Sequence, residues 1–182
     1  GNYRGKGGET YGSTDNMTLL AYWTKIVDVP TGKTGLVYNG NEQCGVDATD
    51  DYAVSGNRQT AAGNYTASAT LNQPVCDGSG VWPNNVYAFE WDDSDAPKDP
   101  KTVDWSIAAK AITPAVSLSK ESATYGDSGW NTLPTVTVTG DSKTLASGTD
   151  YTASWSPASL SGAGSCAVTV TLKGNYSGSN TA

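Results

Sequence analysis

Three groups of side chains in this sequence have types and spacings that suit chemistry. The first is aromatic: Trp82, Tyr87 and Trp91 fall within residues 72–100, beside Asp92, Asp93, Asp95 and Asp99. Ring faces next to acids and amides suit a saccharide, because the ring stacks on sugar C–H surfaces while polar tips take the hydroxyls. The second group is acidic. Asp93-x-Asp95 with Asp99 offers the hard oxygen ligands that calcium prefers, although the glycine and terminal glutamate of an EF-hand loop are missing. The third is sulfur: Cys44, Cys76 and Cys166 allow one disulfide and one spare thiol.

Each group also has a plainer reading. Residues 81–91 read more simply as one more strand, its aromatics filling a core that has a single Phe to draw on. The aspartates suit turns and a solvated charge run. Other chemistry is excluded more firmly. There is no histidine, so the usual general base and every Ser-His-Asp or Cys-His arrangement are missing. Three cysteines with no histidine and no CxxC fall short of a four-ligand zinc site. No phosphate-cradling Gly-Lys-Ser/Thr loop or dinucleotide fingerprint occurs. Paired carboxylates able to cleave glycosides would have to come from Asp50-Asp51, Asp92-Asp93, Asp127 and Asp141, which stand among turn residues. The chain is therefore expected to be no enzyme and to need no cofactor. Its net charge of −7 argues against nucleic acid, whose phosphates call for a concentrated basic face. No apolar run approaches the ~20 residues of a membrane span.

The elements that must position these groups are strands. In Gly63-Asn64-Tyr65-Thr66-Ala67-Ser68-Ala69-Thr70-Leu71 apolar and hydroxyl residues alternate, which makes a half-buried β-strand. The phase returns in Gly164-Ser165-Cys166-Ala167-Val168-Thr169-Val170-Thr171-Leu172. There Cys166 shares the inward phase of Val168, Val170 and Leu172 and is expected to be a buried free thiol. Asp51-Tyr52-Ala53-Val54-Ser55 has its echo in Asp150-Tyr151-Thr152-Ala153-Ser154. Two copies of one β-unit account for this. Val103, Trp105 and Ile107 alternate with polar neighbours in a strand that closes the first copy. Asn39-Gly40 is a two-residue turn signal, predicting a hairpin between residues 35–38 and 41–46. No stretch carries a sustained 3.6-residue apolar period, so the chain is expected to be all-β.

Two phrases resemble known families. Thr18-Leu19-Leu20-Ala21-Tyr22-Trp23-Thr24 resembles the closing strand of internalin-type β-grasp repeats, with Leu20 where those carry tyrosine. Leu36-Val37-Tyr38-Asn39-Gly40-Asn41-Glu42-Gln43, Gly63-Asn64-Tyr65-Thr66-Ala67 and Trp105-Ser106-Ile107-Ala108 together resemble bacterial immunoglobulin-like repeats of the MBG/YDG kind. In the second copy, Thr124-Tyr125-Gly126-Asp127 resembles the Tyr-Asp-Gly turn with its last two residues exchanged. Lys173-Gly174-Asn175-Tyr176-Ser177-Gly178 resembles the phrase that precedes the last strand.

The resemblance implies two tandem small immunoglobulin-like β-sandwich modules. Residues 1–33 would be a linker with the tail of a preceding repeat, 34–110 the first module with an insertion at 72–100, and 111–182 the second, lacking its closing strand. It further implies a structural spacer or stalk segment of a bacterial cell-surface or secreted multi-repeat protein, with neighbouring repeats of the same polypeptide as partners. The alternative is an adhesion or carbohydrate-binding module that meets a host glycan or extracellular protein through 72–100. Cys44 occupies a strand position where the family more often has a hydroxyl residue, and Cys76 lies in the insertion, so these two are expected to be bonded. Such a bond contributes about 3–4 kcal/mol on chain-entropy grounds. Related surface domains also form Lys–Asn isopeptide bonds, for which Lys110 and Asn175 are the candidates.

Overall fold

Where the sequence alternates, the chain is extended. A computed structural model describes residues 2–5, 23–76, 86–93 and 99–182, and every regular element among them is a β-strand. The protein is all-β. Two compact units form: Gly1–Thr34, Gln43–Gln59 and Tyr65–Trp105 make the first, and Gly35–Glu42, Thr60–Asn64 and Ser106–Ala182 the second.

The strands running through the first unit are β1 (Asn2–Gly5), β2 (Trp23–Val27), β3 (Gln43–Cys44), β4 (Tyr52–Ser55), β5 (Arg58–Gln59), β6 (Gly63–Leu71), β7 (Val86–Trp91) and β8 (Lys101–Ile107). The order β4-β6-β8 makes one sheet, and β1-β2-β7 makes a second in which β2 runs antiparallel to β1 and parallel to β7. Alternation is expressed as expected. Ala67, Ala69 and Leu71 of β6 and Val103, Trp105 and Ile107 of β8 are buried, while Thr70, Asp104 and Ser106 between them face solvent. Burying a Val or Leu side chain contributes about 1.5–3 kcal/mol, so these few positions carry much of the unit's stability. Val27, Ala69, Leu71 and Trp91 form one core cluster, with Tyr52, Val54 and Phe89 packed on it. Trp105 fills a second place: its ring lies 4.9 Å from that of Tyr65 and its Nε1–H donates to Gly56 O at 3.2 Å.

The second unit holds β9 (Lys110–Ala111), β10 (Ala115–Leu118), β11 (Val136–Gly140), β12 (Lys143–Thr144), β13 (Tyr151–Ser156), β14 (Ala167–Leu172), β15 (Tyr176–Ser177) and β16 (Ser179–Thr181). Two three-stranded sheets, β10-β11-β12 and β13-β14-β16, share a core of Val138, Leu145, Tyr151, Val170, Leu172 and Tyr176. The short parallel pair of β9 and β15 accompanies them. Val138 and Val170 have no exposed surface at all, so small β-branched side chains close the space that Phe would fill elsewhere.

The copies match at atomic detail. Tyr52 stands opposite Leu71 and Tyr151 opposite Leu172, and in each copy the next three pairs follow in the same register. Just past each pair a backbone N–H returns to the aspartate carbonyl: Asn72 to Asp51 at 2.8 Å and Lys173 to Asp150 at 2.8 Å. On the other side Thr49 N–H reaches Tyr52 O and Gly148 N–H reaches Tyr151 O.

Three expectations are corrected. No hairpin forms across Asn39-Gly40. The side chain of Asn39 takes the N–H of Asn41 at 2.9 Å and Gly40 has φ +82°, so the turn exists, but its arms pair elsewhere. β3 pairs with β5, while Val37 bridges Ala108 and Tyr38 N–H donates to Ala108 O at 2.9 Å. For the same reason a boundary at residue 110 does not separate the units, because 35–42 and 60–64 group with 106–182. The Tyr38 ring meets Tyr176 edge-on at 5.5 Å, and Ala62 N–H donates to Asn175 Oδ1 at 2.8 Å. Finally, a strand was not expected at 179–181, yet β16 pairs with β14 through Thr169, Val170 and Thr171.

Candidate ligand-binding site

Of the three candidate platform aromatics, Trp91 is taken up by the fold. Trp91 ends β7 pointing inward and is 3% exposed. Its ring packs 5.4 Å from that of Tyr52, and its Nε1–H donates to Asp99 Oδ1 at 3.1 Å. A buried indole needs such a partner, and here it leaves no face for a sugar. Trp91 is therefore a core residue and not a ligand contact. Tyr87 lies in β7, but its side chain is outside the described residues, as is all of Trp82. Of the strand that the plainer reading placed at 81–91, residues 86–91 are described and are extended.

The acidic set is divided too. Asp99 Oδ1 also accepts the N–H of Leu71 at 3.1 Å, so this carboxylate ties β6 to the Trp91 indole. Asp93 pairs with Lys101 Nζ. The two carboxylates thus have different work, Asp95 lies outside the described residues, and no three His, Cys, Asp or Glu are grouped for a metal among the described residues.

All three cysteines are free thiols, so the expected Cys44–Cys76 bond is not formed. Cys44 Sγ instead donates to Val46 O at 3.2 Å, and Asn57 Nδ2 reaches both Cys44 Sγ and Val46 O. Beside them Lys33 Nζ and Asp47 Oδ1 pair at 2.7 Å, and the lysine hydrogen bond holds the Asp47 carboxyl below its usual range. Cys166 is half-buried and not buried, because β14 starts one residue later, at Ala167.

In the second unit Lys110 Nζ pairs with Asp141, whose other oxygen takes the Tyr176 hydroxyl at 3.4 Å. The lysine hydrogen bond pulls the Asp141 carboxyl below its usual value, whereas burial pushes the Tyr176 phenol up. Lys143 Nζ stands 5.1 Å over the Tyr176 ring. Asn175 gives its side-chain oxygen to Ala62 and its backbone carbonyl to Lys110 N–H at 2.9 Å. The Lys110 amine and the Asn175 amide are therefore engaged with different groups, and the candidate isopeptide pairing is not assembled.

Among the described residues, a concave site with exposed aromatic surface lies in the second unit. A cleft of about 430 Å³ opens in the second unit, its lining including Glu121, Ser122, Tyr125, Trp130, Leu160 and Ser165. The wall bearing the rings is the connection from β10 to β11. Ser119 and Thr135 close its neck, with Ser119 N–H on Thr135 O at 3.0 Å and Thr135 N–H on Ser119 Oγ at 2.9 Å. Inside the neck the chain makes successive turns: Asp127 N–H to Thr124 O, Trp130 N–H to Asp127 O and Thr132 N–H to Gly129 O, each at 3.1 Å. Gly126 and Gly129 sit at φ +93° and +71°, which only glycine adopts without strain. Lys120 Nζ fastens the loop by donating to Gly129 O at 2.8 Å. The turns set the Tyr125 and Trp130 rings 4.6 Å apart, with Trp130 half-buried and Tyr125 64% exposed.

Sequence reasoning passed over Tyr125 and Trp130, treating the former as part of a turn phrase. The available signal was two aromatics on a glycine-rich connection without alternation, where neither has a strand phase to carry it into the core. No family model, curated protein or solved structure matches this chain.

Proposed function

We propose that this chain is a non-enzymatic structural spacer, a stalk segment of a bacterial cell-surface or secreted multi-repeat protein, and that its units are small immunoglobulin-like β-sandwich modules. The observation that carries the reading is the repeated register, Tyr52 opposite Leu71 and Tyr151 opposite Leu172, with matching backbone hydrogen bonds at the ends of both pairs. A sequence that specifies the same three-stranded arrangement twice is one built by repetition, and repetition of small β-units adds length with few new long-range dependencies. Supporting it, three of the side chains first singled out for chemistry are taken up in packing and pairing: Trp91 in the core, Asp99 as a clamp, Asp93 on Lys101. No helix among the described residues is long and apolar enough to cross a membrane.

The experiment is a replacement. Exchanging residues 1–182 within the surface protein for an unrelated β-module of similar size should leave display and the action of flanking segments unchanged. Loss of display, or of the action of the flanking segments, on that exchange overturns the spacer reading.

A further inference from the structure

We infer that the Tyr125–Trp130 cleft of the second unit is a saccharide-binding site, accepting one or two rings of a neutral sugar chain. This goes beyond the spacer reading and does not depend on it.

The argument begins with the rings. An exposed tyrosine on a soluble surface is ordinary by itself, but here it is paired with Trp130 at 4.6 Å, and the two rings line a concavity. The volume of about 430 Å³ falls within the ~300–1,000 Å³ of small-molecule sites. The loop that carries the rings is held by its own backbone hydrogen bonds and by Lys120, so the rings are placed before any ligand arrives.

The lining then selects the ligand. A phosphate or sulfated chain would need several cations, whereas the lining has one lysine and one glutamate and carries no net charge. Lys120 already gives a donor to Gly129 O. A purely apolar ligand would meet the Glu121 carboxylate and the Ser122 and Ser165 hydroxyls and leave them unpaired, which is costly for any group it shields from water. A pyranose matches both kinds of surface. Its axial C–H face is weakly positive and stacks on the negative face of Tyr125 or Trp130, while its equatorial hydroxyls can donate to Glu121 and exchange hydrogen bonds with the serines.

Titration calorimetry on the whole chain, with cellohexaose, chitohexaose and maltohexaose as probes, tests this. At least one hexaose should bind. Tyr125→Ala should weaken it about tenfold or more, the scale expected on removing one stacked ring, while Tyr125→Phe keeps it. Tyr125 is exposed, so the thermal unfolding midpoint of both variants should stay at the parent value, and Trp130→Phe should bind with intermediate affinity. The inference is overturned if none of the three hexaoses binds, or if Tyr125→Ala binds as well as the parent.

Discussion

Tyr151 faces Leu172 across β13 and β14 in the register that sets Tyr52 against Leu71 across β4 and β6. Leu71 and Leu172 are both 6% exposed. Equivalent place and equivalent burial predict equivalent cost. Leu71→Ala and Leu172→Ala should each destabilise the protein by about 2–5 kcal/mol, the range for buried leucines that leave a cavity. Urea unfolding followed by tryptophan fluorescence measures both, and a near-neutral effect at either position contradicts the equivalence.

Gly45 lies against the face of Trp105. A Cβ built on it would run into the indole, at Cε3, Cδ2 and Cγ. The backbone cannot retreat easily, because Gly45 N–H donates to Asn57 O at 2.8 Å and its carbonyl accepts Lys33 N–H at 2.7 Å. Gly45→Ala should therefore lower stability by about 1–3 kcal/mol, as overpacking does. Unchanged unfolding would mean that the indole is not seated there.

Acid should weaken the second unit through Asp141. Its carboxyl is held below the usual 3.8 by the Lys110 hydrogen bond, so between that value and its folded pKa the unfolded chain binds more protons than the folded one. The contribution is complete above the unfolded value and is lost as pH falls through the folded one. The groups that face it are Lys110, Lys143 and the Tyr176 hydroxyl. Asp141→Asn should remove part of the drop in urea midpoint below about pH 4 while leaving Asp47, paired with Lys33, to supply its own share. An identical acid profile for parent and variant contradicts the pairing.

Free thiols can be counted. With Cys44, Cys76 and Cys166 all unbonded, alkylation in denaturant without reductant should add three groups to the intact mass. Trypsin places each cysteine in its own peptide, through cuts after Lys33, Arg58, Lys98, Lys143 and Lys173. A Cys44 peptide joined to a Cys76 peptide in a non-reducing digest contradicts the assignment.

Period-2 alternation made β6, β8 and β14 readable in the sequence, down to which of Ala67, Ala69, Val103, Val168 and Val170 point inward. That signal is local and says nothing about partners. Asn39-Gly40 does turn the chain, but what Val37 and Gln43 pair with is decided by Ala108 and Gln59, far along the sequence. Trp91 illustrates a second limit. Aromatics among aspartates read alike whether the rings face water or the core, until β7 fixes the phase and Asp99 turns to meet the indole. The Tyr125–Trp130 cleft was invisible for a third reason: it is built by turns, where glycine φ angles and backbone hydrogen bonds set side-chain direction and no periodic pattern records it.

The spacer reading is tested most directly by display. A peptide tag is carried outward of zero, one or two copies of residues 1–182 on a bacterial surface anchor, and antibody access to the tag is measured at equal expression. The account predicts that access rises with each copy and is unaffected by Tyr125→Ala. Access that stays level from zero to two copies, with the copies intact, would contradict it.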